Sequence, residues 1–479
     1  MKLVVDHIDT YVTVENQVDQ KFLNAYSKKL STLVPGAEYT WRYKRGGWDG
    51  RIKFLTHLKD GRYRFPTGFL PSFEEACPHI SKIEWSPVNS LTLMETTVPL
   101  RDYQWEAAKA LLENTFHGVW WPRGVIQAGT GGGKTEIAVA LLEMLNVPSL
   151  FLVHRKDLVD QARKRLQKYG LTSGEIGDGT FNPDPLGITV ATVQSLSRQV
   201  GTKRPKAGWL NLQTACQCII IDEAHSIAAN LDKGNTFTQV LSSFPNAFVR
   251  IGLTATPFMR DSYSNFLLEG FTGKLIYEIS SRELIQRGVL EDAVITMVHM
   301  PKLSARDLKK MGSEKRMNRY QVAYRRAIEQ NQERIEKIIE LANQAPGPTL
   351  ILVKTVAHGR NIQGIAENQG QTIEMIDGPT SKKDRASACA RMVRNKSILI
   401  ATGIYDEGID IPELQTIILA AGGKSSGKNL QRLGRGLRKS KGKSSLNVID
   451  FFDETRPLDI HSLERCKLWK NQGYIINDI

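Results

Sequence analysis

The run Ala128-Gly129-Thr130-Gly131-Gly132-Gly133-Lys134-Thr135 has the residue types and spacing of a phosphate-binding loop. Its glycines leave backbone N–H groups free to wrap phosphate oxygens without interference from Cβ. The apolar, helix-forming run that follows to Leu145 sets bound phosphates at a helix N-terminus. In such a site Gly129, Thr130, Gly131, Gly132 and Gly133 form the cradle, Lys134 reaches the β- and γ-phosphates, and the Thr135 hydroxyl binds Mg²⁺. The general pattern GxxxxGK[ST] opens on glycine, where this chain has Ala128; alone, the run also reads as a glycine turn at a helix start. Downstream, Cys216-Gln217-Cys218-Ile219-Ile220-Ile221-Asp222-Glu223-Ala224-His225 is an apolar run ending in two carboxylates. That pattern is a buried parallel strand whose C-terminal end delivers acids to a cleft. Asp222 is the candidate for the Mg²⁺ shell, and Glu223 for orienting or deprotonating the attacking water.

Much further on comes Gln431-Arg432-Leu433-Gly434-Arg435-Gly436-Leu437-Arg438. Arginines this far from the loop imply a second lobe that reaches the same γ-phosphate. Arg435 and Arg438 then act as arginine fingers supplied within the chain, with Gln431 beside them; such groups contribute roughly 10³–10⁵ in rate. Two lobes that close on ATP and reopen after hydrolysis make a motor.

Asp222 to His225, together with Gly252-Leu253-Thr254-Ala255-Thr256-Pro257, resembles motifs II and III of superfamily 2 helicases and translocases. Other stretches resemble further motifs of that family, in its order. Leu100-Arg101-Asp102-Tyr103-Gln104 resembles the Q-type motif, implying that Gln104 reads the adenine edge with Arg101 beside it. Phe151 to Gln161 resembles motif Ia, Ala191 to Leu196 motif Ib, and Ile351 to Lys354 motif IV. Ala401-Thr402-Gly403 through Pro412 resembles motif V, and Gln431 to Arg438 motif VI. The likeness spans residues 98–455. Within the family it points to the UvsW-type phage recombination helicases, because Trp41 to Arg51 resembles their amino-terminal domain.

The resemblance implies further roles. It places Arg155, Thr192 and Gln194 of one lobe, and Lys354, Thr355 and Thr402 of the other, on the nucleic-acid track. Hydroxyls, amides and basic groups suit phosphate oxygens and carry little sequence information. His225, Thr254 and Thr256 transmit the nucleotide state to that track, and Asp410 lies near the ribose or metal side. The implied activity is an ATP-dependent DNA helicase acting on forked and junction DNA, moving 3′-to-5′. An RNA remodeller and a nucleotide-gated clamp remain open as alternatives. ATP and Mg²⁺ are the expected cofactors, a monomer the expected state and the cytoplasm the expected place (the host's, if phage-encoded).

Composition fits a nucleic-acid partner. The 479 residues carry a net charge of +14 with a pI near 9.4, a statement about partners rather than fold. The charge is clustered in 41–64 and 424–443, the latter without a single acid. In the first cluster Arg45 and Trp48 are the candidate contacts, alongside Trp41 and Tyr43. The rings could instead fill a small core, and the alternation from Tyr39 to Tyr43 turns some of them inward. Five cysteines without CxxC spacing point to neither zinc nor disulfides, and no apolar stretch reaches membrane-spanning length or marks a signal peptide.

The expected fold class is α/β, with two RecA-like parallel-sheet lobes in tandem behind a small α+β domain. Boundaries fall at 1–95 for that nucleic-acid-binding domain, 96–280 for the ATP-binding lobe, 281–345 for a helical bridge, and 346–479 for the second lobe and tail. Buried strands are expected at 148–153, 188–193, 216–222, 249–254, 349–353, 397–401, 416–420 and 446–450. Removal of residues 1–95 is expected to leave an ATPase-competent core.

Overall fold

Apolar runs bounded by turn signals build three main sheets in the computed structural model. It describes all residues except 78, 88–90, 226–235, 256–261, 310–313, 315–316, 404–410, 424–432, 435, 441, 444 and 479. The amino-terminal sheet has five strands, ordered Thr56–His57, Tyr63–Pro66, Asp9–Thr13, Lys2–Val5 and Lys82–Trp85. The helix Gln17–Lys29 is capped by Asn16, whose side chain accepts from the Asp19 N–H, and it buries Leu23 and Tyr26. This is the expected α+β domain.

The second sheet has eight strands. Their order is Thr180–Asn182, Ser173–Gly177, Ile188–Thr192, Ser149–Val153, Cys218–Asp222, Val249–Thr254, Arg123–Ala128 and Leu275–Ile279. All neighbours are parallel except the first pair. Its central strands are buried along their length, as their unbroken apolar runs require.

The third sheet has seven parallel strands, ordered Glu374–Ile376, Ile398–Ala401, Thr349–Leu352, Thr416–Ile418, Ser445–Asp453, Asp292–Met300 and Ile475–Asp478. Here one sequence expectation fails. The 281–345 stretch is not a purely helical bridge, because Asp292–Met300 pairs with Ser445–Asp453 over nine residues. Its residues Ala293, Ile295 and Met297 are buried in an alternating strand pattern, with Val298 and Met300 buried beyond, that the charged helical sequence after it obscures. The helix Gln332–Gln344 is likewise part of this fold and buries Ile335, Ile338, Ile339 and Leu341 in its core.

Contacts divide the chain into two units, 1–128 with 133–279, and 280–479 with the short loop 129–132. The amino-terminal domain therefore belongs to the same unit as the eight-stranded sheet. One apolar core runs through both. Phe54 stacks on Phe266 at 5.6 Å and 20°, Phe69 packs edge-on to Phe54, and Trp85 packs edge-on to Trp121. A Cβ on Gly68 would fall 2.1 Å from the Glu269 carbonyl oxygen, so the two backbones touch. Removing residues 1–95 would strip this cover from Phe266 and Trp121, and a free-standing core is no longer the expectation.

Candidate active site and nucleic-acid interface

The strand Arg123–Ala128 ends in the glycine loop, and the loop enters the helix Lys134–Leu145. The Gly132 N–H donates to the Gly129 carbonyl at 2.9 Å, closing the turn. Gly133 has φ +75° and a Cβ there would meet the Gln104 amide nitrogen at 2.2 Å, so the position takes glycine for both conformation and space. Gln104 is buried beside the loop: its Oε1 accepts from the Arg101 N–H at 2.9 Å and its Nε2 donates to the Gly133 carbonyl at 3.5 Å. The Q-type pair thus braces the helix Asp102–Leu112 against the phosphate loop.

Lys134 Nζ lies 3.4 Å from the Ala128 carbonyl oxygen and 3.8 Å from Glu223 Oε1. Glu223 follows the strand Cys218–Asp222 with φ +48°, and its N–H donates to Asp222 Oδ1 at 2.9 Å. The two carboxylates are thus adjacent in the chain but meet different surroundings. Burial pushes the Asp222 carboxyl up, and the Glu223 charge adds to that. Burial also opposes ionisation of Glu223, but Lys134 and His225 outweigh it and hold that carboxyl well below the usual range. Glu223 Oε2 is 3.3 Å from His225 Nδ1, which in turn pairs with Thr254 Oγ1 at 3.0 Å. One polar chain therefore runs from Lys134 through Glu223 and His225 to buried Thr254 at the end of a neighbouring strand.

Thr135 stands half-buried at the second position of its helix. Hydroxyl and carboxylate oxygens of Thr135 and Asp222 are the hard donors that suit Mg²⁺. Among the described residues no group of three or more His, Cys, Asp or Glu side chains could hold a metal by itself. A Mg²⁺ site made with nucleotide phosphates and one carboxylate needs no such group.

The expected track residues divide into two kinds. Arg155 precedes the helix Lys156–Lys168 and Gln194 lies in the helix Val193–Ser197, each two residues past a parallel strand, half-buried and exposed respectively. Thr192 is buried and committed to capping, accepting from the Ser195 N–H at 3.3 Å and donating to Ser195 Oγ at 2.9 Å. In the second unit Lys354 is exposed and lies over the Tyr324 and Tyr320 rings at 4.7 and 5.5 Å. Thr355 caps the helix Val356–Asn368 and donates to Glu329, and Thr402 is buried after the strand Ile398–Ala401. Arg45 lies over the Trp41 ring at 4.3 Å. Trp48 is half-buried, and its indole N–H donates to the Arg51 carbonyl at 2.8 Å.

Thr256, Asp410, Gln431 and Arg435 lie outside the described residues. Arg438 is described, and its backbone is pinned within the second unit. It bridges Leu290, while the Glu291 N–H donates to the Leu437 carbonyl at 2.7 Å. Sequence reasoning missed Lys443, which it left in a basic cluster. Its buried ammonium donates to the carbonyls of Pro412 at 3.1 Å, Gly436, and Arg438 at 3.5 Å, tying the second arginine motif to the segment after Asp410. Burial pushes that amine down to about 8. No local sequence signal marks it, because the carbonyls it meets lie up to 31 residues away.

Comparisons with known proteins agree with this geometry. Residues 97–259 match the family described as type III restriction enzyme, res subunit, and 330–440 match the helicase conserved C-terminal domain. Two RecA-like domains bearing these motifs define an ATP-hydrolysing helicase, and the chain belongs to superfamily 2. It is similar along most of its length to the ATP-dependent DNA helicase uvsW of Enterobacteria phage T4, at 22% identity over 474 residues, covering 93% of this chain and 90% of that one. The DNA 3'-5' translocase XPB2 of Sulfurisphaera tokodaii is 28% identical over 409 residues, covering 77% and 85%. In fold, the chain resembles an HsdR subunit fragment of a type I restriction enzyme from Vibrio vulnificus YJ016, with a TM-score of 0.57 at 19% identity, covering 79% and 68%. No helix among the described residues is long and apolar enough to cross a membrane.

Proposed function

We propose that the chain is an ATP-driven DNA helicase or translocase that unwinds or branch-migrates forked and junction DNA, moving 3′-to-5′. The polar chain Lys134–Glu223–His225–Thr254 carries this reading, because it links the phosphate-binding lysine to a strand of the motor domain. The names of the two relatives, a DNA helicase and a DNA 3'-5' translocase, support DNA and the direction. In this cycle Gln104 and Arg101 face the adenine, and Gly129, Thr130, Gly131, Gly132, Gly133 and Lys134 hold the phosphates. Thr135 and Asp222 hold Mg²⁺, which supplies charge neutralisation on the phosphates when bound. Glu223, kept ionised by the Lys134 charge and its hydrogen bond with His225, takes the proton of the attacking water. Gln431, Arg435 and Arg438 serve the transferring phosphoryl group, with Asp410 on the ribose or metal side. His225, Thr254 and Thr256 pass the nucleotide state on. Arg155, Gln194 and Lys354 contact phosphates directly and Arg45 serves the strand from beside Trp41, whereas Thr192, Thr355 and Thr402 shape the track, Thr192 and Thr355 through the helices they cap.

The test is steady-state ATPase across single-stranded, duplex, forked and four-way DNA and matching RNAs, with strand displacement on 3′- and 5′-tailed duplexes. Forked or four-way DNA should stimulate most, and 3′ tails should support displacement. Stronger stimulation by RNA would replace the proposal with an RNA remodeller. Binding without turnover would leave a nucleotide-gated clamp.

A further inference from the structure

Between the strands Ser31–Leu33 and Arg51–Lys53 the chain leaves the amino-terminal domain as an arm, closed at its base by the Val34 N–H donating to the Gly50 carbonyl at 2.8 Å. The alternating pattern of Tyr39 to Tyr43 suggests a strand, but the arm is made of tight helical turns. Thr40 ends one turn at Ala37–Tyr39 and caps the next at Trp41–Lys44, its hydroxyl donating to the Ala37 carbonyl and accepting from the Tyr43 N–H. Helical turns throw neighbouring side chains outward instead of alternately in and out. Tyr39, Trp41 and Tyr43 are consequently 77%, 65% and 40% exposed.

Three large aromatic residues thus stand in solvent on one short arm, and no core among the described residues takes their rings. Around them Arg42, Lys44 and Arg45 are all exposed, against the acids Glu38 and Asp49. Arg45 covers the Trp41 ring at 4.3 Å and still leaves most of the residue in solvent. Trp48, by contrast, spends its N–H on the Arg51 carbonyl and holds the base of the arm. Arg51 completes that base by donating to the Ser31 carbonyl at 2.7 Å and Ser31 Oγ at 3.2 Å.

We propose that this arm is a base-stacking platform: Trp41, backed by Arg45, takes one unpaired nucleobase while Arg42 and Lys44 hold the flanking phosphates. The inference deepens the helicase reading above and rests on it. Aromatic rings among cations are the recognition chemistry of single-stranded nucleic acid, because every base offers a π-face and every linkage a charge. Duplex ends and forks are where a motor meets such bases. The platform is rigidly carried, since Phe54, just beyond the strand Arg51–Lys53, stacks on Phe266 in the helix Ser262–Phe271.

The experiment measures full-chain affinity for single-stranded, forked and blunt duplex DNA, with the RNA strands in parallel, and follows 2-aminopurine fluorescence in the single-stranded arm. Trp41→Ala should weaken single-stranded and forked binding roughly 5- to 150-fold, the ratio equivalent to ~1–3 kcal/mol of stacking. Blunt-duplex affinity, the thermal midpoint and the salt slope should stay put, and Trp41→Phe should recover most of the loss. Arg42→Gln and Lys44→Gln should each flatten the slope of log affinity against log salt by about 0.7. An unchanged single-strand affinity in Trp41→Ala, an equal loss on blunt duplex, or a fall in thermal midpoint would overturn the platform. So would loss of binding to anionic phospholipid vesicles in place of nucleic acid, which would make the arm a membrane contact. Wild-type chain that gains no ATPase from any nucleic acid would instead sink the helicase reading itself.

Discussion

At the C-terminal edge of the eight-stranded sheet Lys134 faces a carboxylate, and at the N-terminal edge Arg123 and Arg250 face backbone carbonyls. The two arginines begin neighbouring strands directly in register and are both almost fully buried. Arg250 donates to the carbonyls of Ala247, Leu241 and Phe244 at 2.9–3.1 Å, and Arg123 donates to the His7 carbonyl and sits over Trp121. One edge keeps its polar groups near ligands that come and go; the other ties its cations into fixed backbone carbonyls, Arg123 at the joint with the amino-terminal domain and Arg250 within the motor sheet's own segment. The difference teaches that net charge is not a measure of nucleic-acid-facing charge. Arg123, Arg250, Arg334, Arg465 and Lys443 are all buried, and the last three clamp the second unit. Arg334 pairs with Asp453, and Arg465 with Asp450 at 2.9 Å. Only exposed cations, Arg42, Lys44 and Arg45 among them, are free to meet a polyanion in solution.

The largest effect that could break the comparison lies at the C-terminal edge. Glu223→Gln should cut turnover by roughly 10²–10⁴ while ATP binding and the thermal midpoint hold, and Lys134→Ala should abolish it. A Glu223→Gln enzyme with a tenth of normal turnover would remove Glu223 from its role. At the opposite edge Arg250→Met should do the reverse. It leaves buried carbonyls unsatisfied and should cost about 3 kcal/mol or more of stability in urea unfolding, with near-normal turnover in the folded fraction.

A smaller effect comes from His7, beside Arg123 and Asp6. Burial, then the Arg123 charge, lowers its imidazole to about 4. Below pH 6.5 the unfolded chain binds the proton first, so stability fully present above that pH is lost as pH falls toward 4. Allowing for its partial exposure, the loss should be about 1–2 kcal/mol, and His7→Gln should flatten that part of the pH profile. The smallest effect is Thr192→Ala, which should cost about 1 kcal/mol as a lost helix cap. A Thr192→Asn chain keeps a capping side chain without the hydroxyl and should keep normal DNA affinity; a large affinity loss in Thr192→Asn would return this hydroxyl to direct contact with the strand.

Most of the candidate site was legible because its motifs are contiguous. A glycine loop, a strand ending in Asp222-Glu223 and a strand ending at Thr254 each announce themselves within a few residues. The polar chain through His225 was foreseen only as a role, since no spacing shows that Nδ1 meets Thr254. The strand Asp292–Met300 was lost because charged helical sequence surrounds it and its partner lies beyond residue 444. The joint between the amino-terminal domain and the motor was illegible for a related reason: Phe54 and Phe266 are apolar residues like any others until the fold brings them together. Trp41 and Trp48 were equivalent in sequence, and only the capped helical turn at Thr40 makes one a surface ring and the other an anchor.

That joint also sets a schedule. Phe266 follows Phe54 by 212 residues, so on the ribosome the amino-terminal domain is finished long before the surface that covers it. At roughly 5–20 residues per second the delay is on the order of 10–40 s. Throughout it the rings of Phe54 and Phe69 lie open on a nascent chain, where collapse onto other chains competes with waiting. Translation speed between codons 54 and 271, and the supply of holding chaperones during that interval, thus become determinants of how much motor a cell obtains from each message.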